Sequence, residues 1–207
     1  LDSLHHFFTE DTRLIVSYYS PLWAPFLSLA TILKLKFEER GVNFEGMLNV
    51  VDLNSNFSIK PFDIKLHTLT HSIPEPNSLI IKTSLGTLYH TGDWKIDENP
   101  LIGDSFEHAD AEDVLAMICD STNVFSAGRS GSELDVRKNM LNIMSRLKKR
   151  VIITSFASNV ARMETIFYCA EKTGRQISLV GRSMHRIYKA ARQCGYLKNV
   201  IDPIDPR

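Results

Sequence analysis

Three apolar, strand-like runs in this 207-residue chain each lead to a side chain that can bind a cation or handle a proton. Ile64–Leu69 runs into Thr70-His71-Ser72-Ile73-Pro74. Thr87–His90 runs into Thr91-Gly92-Asp93-Trp94-Lys95. Val114–Cys119 runs into Asp120-Ser121-Thr122-Asn123. Positions just beyond strands let protein groups converge on a metal at the open end of a sheet, so the pattern calls for a fold whose sheet edge carries the chemistry.

The rest of the chain is consistent with such a sheet. Residues 13–18 (RLIVSY) read as a strand, and Pro25 opens a helix to about Arg40, closed by Gly41. Strands are predicted at Met47–Leu53, Phe62–Leu66, Ser78–Thr83 and Thr87–His90. Asn54 to Asn56, Pro74 to Asn77 and Ser84 to Gly86 supply the turns between them. After Asp97 the texture changes. Glu98 to Asp113 is a polar, acidic connection. Val114–Cys119 is apolar throughout, which predicts a strand covered on both faces. Ser132 with Asp135 resembles a capping box opening a helix to about Lys149. A strand at Val151–Ser155, a helix capped by Ser158 and ended by Gly174, a strand at Ile177–Val180 and a helix at Met184–Cys194 follow. Strand–helix alternation argues for a parallel α/β sheet. The expected class is therefore α/β in two parts, with a boundary near residues 110–120.

At 43% hydrophobic residues the chain can bury a core. Twenty-four basic residues balance twenty-four acidic ones, so net charge gives no evidence of a nucleic-acid partner. Cys119, Cys169 and Cys194 are odd in number and widely spaced, which fits a reduced, cytoplasmic protein. Leu14 to Leu33 carries no charge and is long enough to span a bilayer. Pro21, Pro25 and several Ser and Tyr residues argue instead for strand, turn and helix, so no membrane partner is expected.

Each candidate side chain has an ordinary alternative. His71 as a neutral imidazole suits zinc, but a loop histidine often bonds a backbone carbonyl. Asp93 follows Gly92, whose backbone freedom lets a tight turn aim the carboxylate. A carboxylate can bridge two metal ions, but turn aspartates also bond nearby amides. Asp120 can cap a turn formed with Ser121 and Thr122. Ser158 and Asn159 open a helix, a natural phosphate site, and also a plain cap. Arg182 and Ser183 stand at another helix start. His90 points into the core or supports the site, and His108 and His185 read as surface residues.

Taken together, these words resemble the ribonuclease J family, metallo-β-lactamase-fold nucleases that carry a β-CASP domain. T-H-S-I-P, H-T-G-D, D-S-T-N, F-A-S-N and G-R-S-M all occur, from Thr70 to Met184. The resemblance implies a metallo-β-lactamase-type α+β sandwich part at 1–115 and the first part of a parallel α/β β-CASP domain at 116–207. It implies that His71 and Asp93 are metal ligands, with Asp93 bridging two zinc ions, and that Asp120 is an active-site acid close to them. Ser158, Asn159, Arg182 and Ser183 become candidate phosphate contacts, as do Arg129 and Arg162. The implied activity is 5′-to-3′ exonuclease and endonuclease cleavage of single-stranded RNA by a homo-oligomeric enzyme.

The family's H-x-H-x-D-H signature, which supplies most of the metal ligands, does not occur. The later histidine motifs have no counterpart after Asn159. The chain reads as a piece lacking both ends of the enzyme, and is expected to bind zinc weakly and cleave RNA poorly by itself. A non-catalytic fragment or gene remnant is one alternative. Another is a β-CASP nuclease acting on DNA or on messenger-RNA 3′ ends, which D-S-T-N and F-A-S-N disfavour. A small-molecule β-lactamase would not need the α/β unit after Asp120.

Overall fold

The computed structural model describes residues 14–18, 37–38, 40–41, 43, 48–103, 105 and 113–205. β1 (Leu14–Tyr18) and β2 (Leu48–Asp52) form a parallel pair. A second sheet runs in the order β3 (Asn56–Ile59), β4 (Phe62–Thr68), β5 (Asn77–Thr83), β6 (Gly86–His90) and β7 (Val114–Ile118). Three helices follow: α1 (Glu133–Arg146), α2 (Val160–Lys172) and α3 (Arg182–Gln193). The chain is thus mixed α/β. Of the expected helix from Pro25, only Phe37, Glu38 and Arg40 are described, and all three are helical. Its remainder and His108 lie outside the described residues.

The directions of the strands decide where the chemistry sits. β4 pairs with β5, and β5 with β6, in antiparallel fashion, so β4 and β6 point the same way. β7 then pairs with β6 in parallel. The C-terminal ends of β4, β6 and β7 therefore share one edge, and the residues that follow them are His71, Asp93 and Asp120. Tight local chemistry builds this frame. Thr83 Oγ1 donates to the Gly86 carbonyl at 2.9 Å and closes the β5–β6 turn. Leu66, Leu69 and Ile80 give the sheet a buried face.

The structure departs from the sequence reading in several places. β3 is a strand, although its first residue reads as turn chemistry. It completes a hairpin with β4 through the turn at Lys60 and Pro61. β7 is the edge strand of its sheet and is exposed throughout, with Leu115 at 65% and Met117 at 54%, rather than covered on both faces. Val151–Ser155 and Ile177–Val180 are not ladder strands. Among the described residues the first makes no bridge, and the second a single parallel bridge from Ser178 to Ile204. An apolar run fixes extended conformation, but a ladder also needs a neighbour presenting amides and carbonyls at the right spacing.

The helices make their own core. Val160, Met163 and Phe167 of α2 pack with Ile187, Ala190 and Ala191 of α3. Phe167 stacks on Tyr188 with ring centroids 5.5 Å apart. Cys169 and Cys194 are buried free thiols and Cys119 is an exposed one. Burial pushes the Cys169 thiol up from its ordinary value against the nearby Arg137 charge, which keeps it protonated and unreactive. No helix among the described residues is long and apolar enough to cross a membrane.

Candidate functional site

An open cleft of about 1150 Å³ lies at the shared strand edge. His71, Trp94, Asp97, Asp120, Asn123 and Arg129 are among the residues that line it. Its floor is set by backbone pairing beyond the strands. Lys95 N–H donates to the Thr70 carbonyl at 2.9 Å, so the segments bearing His71 and Asp93 run side by side. Thr91 N–H donates to the Ile118 carbonyl at 3.0 Å, and Asp120 N–H donates to Thr91 Oγ1 at 3.0 Å. These two bonds carry the parallel β6–β7 pairing onward to Asp120.

His71 is half-buried, with Nδ1 lying 3.1 Å from Ser72 Oγ. Asp120 Oδ1 accepts the Thr122 N–H at 3.0 Å. That amide and the Thr122 hydroxyl hold the Asp120 carboxyl below its ordinary range, against a small opposing effect of burial. The charge of His71 and the Trp94 contact pull in the same downward direction. Asp120 is therefore an ionised acceptor near neutral pH. The ordinary reading of Asp120, an Asx turn, coexists here with a place in the cleft beside His71. Trp94 Nε1–H donates to the Asp120 carbonyl at 3.3 Å, which ties the loop after β6 to the loop after β7.

Asp93 occupies an exposed turn beside the cleft and is not among the residues lining it. Gly92 has φ +61°, and a Cβ there would meet the Asn77 carbonyl oxygen at 3.1 Å, so this turn requires glycine as the sequence suggests. His90 supports the turn, its Nδ1 accepting the Gly92 N–H at 3.1 Å.

The helix-start candidates lie elsewhere: Ser158, Asn159, Arg182 and Ser183 do not line the cleft. Asn159, not Ser158, caps α2, its side chain accepting the Arg162 N–H at 2.8 Å. An Asn side chain at this position reaches the third amide of the helix, whereas Ser158 stands one residue too early. Arg162 is engaged by Glu133 through Nε and Nη2 at 3.1 and 3.0 Å, which commits one edge of its guanidinium to an ion pair. α3 begins at Gly181 without a side-chain cap, leaving Arg182 and Ser183 exposed at its start. His185 is exposed, as the sequence suggests.

Sequence reasoning passed over Asp97. This carboxylate is 3% exposed. Burial pushes its pKa up, but the Glu133 amide, the Ser132 hydroxyl, the Asn99 amide and Lys95 together outweigh that and hold it below the ordinary value. The only local signal was an acid two residues after a lysine near Pro100. Its partner amide, 36 residues away, cannot be read from the sequence.

Zinc sites need about four donors, three of them from protein in open catalytic sites. Among the described residues no three His, Cys, Asp or Glu side chains gather to hold an ion. His71, Asp93 and Asp120 supply suitable donor chemistry at one sheet edge, but do not by themselves make up a zinc site.

A family model described as the β-CASP domain of ribonuclease J matches residues 148–204. The chain is 38% identical over 188 residues to the ribonuclease J of Sinorhizobium meliloti, covering 88% of this chain and 32% of that protein. It is 35% identical over 186 residues to the ribonuclease J of Thermus thermophilus, covering 86% and 32%. With the Corynebacterium glutamicum ribonuclease J the identity is 40% over 153 residues, covering 72% and 21%. The crystal structure of an Enterococcus faecalis protein of unknown function shares the fold at TM-score 0.55 and 12% identity, covering 95% of this chain and 55% of that one. The chain spans about a third or less of the length of these curated relatives, 32% of the first two. Over the shared stretch, which includes the His71, Asp93 and Asp120 loops, the chain matches a fragment of ribonuclease J.

Proposed function

We propose that this chain forms part of a metal-dependent ribonuclease that hydrolyses single-stranded RNA, by 5′-to-3′ exonuclease and endonuclease action, in cytoplasmic RNA processing and decay. The observation that carries the reading is the common direction of β4, β6 and β7, from which an imidazole and two carboxylates leave one edge. His71 and Asp93 are this chain's share of the ligands for zinc, which would supply a polarised hydroxide and neutralise phosphate charge. Asp120, ionised and beside His71, is the group that orients a reacting water or accepts its proton. Arg129, at the cleft wall, is placed to meet the RNA backbone. The part up to residue 115 corresponds to the metallo-β-lactamase-like domain and the part from 116 to the β-CASP domain. The intact enzyme is a homo-oligomer. Because the described residues do not complete a zinc site, no hydrolytic step is assigned to the chain alone.

The test is metal analysis and zinc titration of the chain beside His71→Ala and Asp93→Ala. The parent is expected to bind zinc weakly and each variant to bind less, with little RNA cleavage in any of them. Equal zinc uptake by parent and variants would remove both residues as ligands. Two tight sites in the parent would contradict the incomplete donor set.

A further inference from the structure

The segment from Trp94 to Asp97 is tied down on two sides. Toward the sheet, Lys95 N–H donates to the Thr70 carbonyl at 2.9 Å and Thr70 Oγ1 donates to the Lys95 carbonyl at 2.5 Å. Asp97 N–H donates to the same Thr70 Oγ1 at 3.0 Å. Thr70 directly precedes His71, and Lys95 follows Asp93 by two residues. Toward the helices, Asp97 Oδ2 accepts the Glu133 N–H at the start of α1, at 3.1 Å. Lys95 Nζ lies 3.2 Å from Asp97 and 3.7 Å from Glu133. The Arg162 guanidinium, one turn into α2, grips both Glu133 oxygens at 3.1 and 3.0 Å.

Two cations and two anions thus form a continuous chain, Asp97–Lys95–Glu133–Arg162. The anionic side chains are 2% and 7% exposed, Lys95 19% and Arg162 30%. Withdrawing these charges from water costs free energy that an apolar contact of the same size would not. What the ionic set supplies is direction. A carboxylate held between a planar guanidinium and an ammonium fixes distance and angle together.

We propose that Glu133 is a positioning residue. It reads the placement of the α1–α2 pair through Arg162 and holds the His71 and Asp93 segments to it through Lys95 and Asp97. Its carboxylate and its backbone amide, with the Ser132 hydroxyl donating to the Asn99 carbonyl at 3.1 Å beside them, keep the two halves of the chain in register at the cleft. The catalytic relevance of this positioning rests on the ribonuclease reading; the positioning itself does not.

The experiment is amide hydrogen exchange on the full chain, which reports local opening. Glu133→Gln is compared with Arg137→Met. Arg137 pairs with Glu164 and so also joins α1 to α2, but these contacts lie on the helices and away from Thr70 and Lys95. Glu133→Gln is expected to speed exchange at the Lys95 and Asp97 amides by on the order of tenfold, while amides in the β4–β5 ladder keep their protection. Arg137→Met is expected to leave Lys95 and Asp97 unchanged. If Glu133→Gln does not fold, Arg162→Lys, which keeps the charge and loses the two-pronged grip, carries the test at the same amides. Unchanged exchange at Lys95 and Asp97, equal acceleration in Arg137→Met, or acceleration spread evenly across β4 and β5 overturns the proposal. Because RNA cleavage is not read, failure here is separable from failure of the ribonuclease reading.

Discussion

Thr70 and Lys95 hold each other by two hydrogen bonds of opposite direction, amide to carbonyl at 2.9 Å and hydroxyl to carbonyl at 2.5 Å. They lie 25 residues apart, and between them the chain makes the whole β5–β6 hairpin. The small side chain of Thr70 therefore closes the loop that brings the His71 and Asp93 segments together.

Thr70→Val keeps the shape and removes the hydroxyl. Thr70 is 3% exposed, and its Oγ1 also accepts the Asp97 amide, so two buried backbone groups lose their partner. The expected loss is about 1–3 kcal/mol of stability. Urea denaturation checks it, with Thr70→Ser expected to stay near the parent.

Asp97 gives a pH signature. Its folded pKa lies below the ordinary carboxylate value of about 3.9. The stability it contributes is therefore complete above the unfolded value and is lost as pH falls through the folded one. Asp97→Asn is expected to be less stable than the parent near pH ~7, and the gap to close below about pH 4. Denaturant midpoints across that range decide it. A gap that stays constant in acid would show that charge on Asp97 is not the source.

The α2 cap separates two neighbouring polar residues. Asn159→Ala is expected to cost about 1 kcal/mol because the Arg162 amide loses its acceptor. Ser158→Ala, at an exposed position outside the cap, is expected to change stability by less than about 0.5 kcal/mol. Thermal melts of both variants resolve the difference.

The helical core is tested at Phe167, which is 1% exposed and stacked on Tyr188. Phe167→Ala is expected to cost about 3–5 kcal/mol by loss of burial and creation of a cavity. Phe167→Leu is expected to retain roughly half of that. Chemical denaturation followed by helix signal measures both.

Much of the frame was legible in the chain. β4, β5 and β6 follow from apolar runs punctuated by turn residues, and the Gly92 turn follows from the need for positive φ. The three helices follow from caps and closing glycines, displaced by a few residues at their ends. What was not legible depends on partners remote in sequence. β3 hides its first residue inside a turn motif. β7 has the composition of a covered strand, yet composition does not say whether a second layer reaches it. The grip of Glu133 on Lys95 and Arg162 joins residues roughly thirty to forty apart, with no periodic signal to announce it. At the cleft, His71 and Asp120 meet because two loops leave one edge, and that edge is a property of strand direction.

The bare flank of β7 has a practical consequence. Val114–Ile118 carries no charge, proline or bulky polar side chain, and no strand among the described residues pairs with its outer edge at the end of the sheet. Such a seam invites a second polypeptide to zip onto it. Purified material will be prone to self-association as concentration rises, and a lysine at Leu115 or Met117 would be the economical way to keep it dispersed.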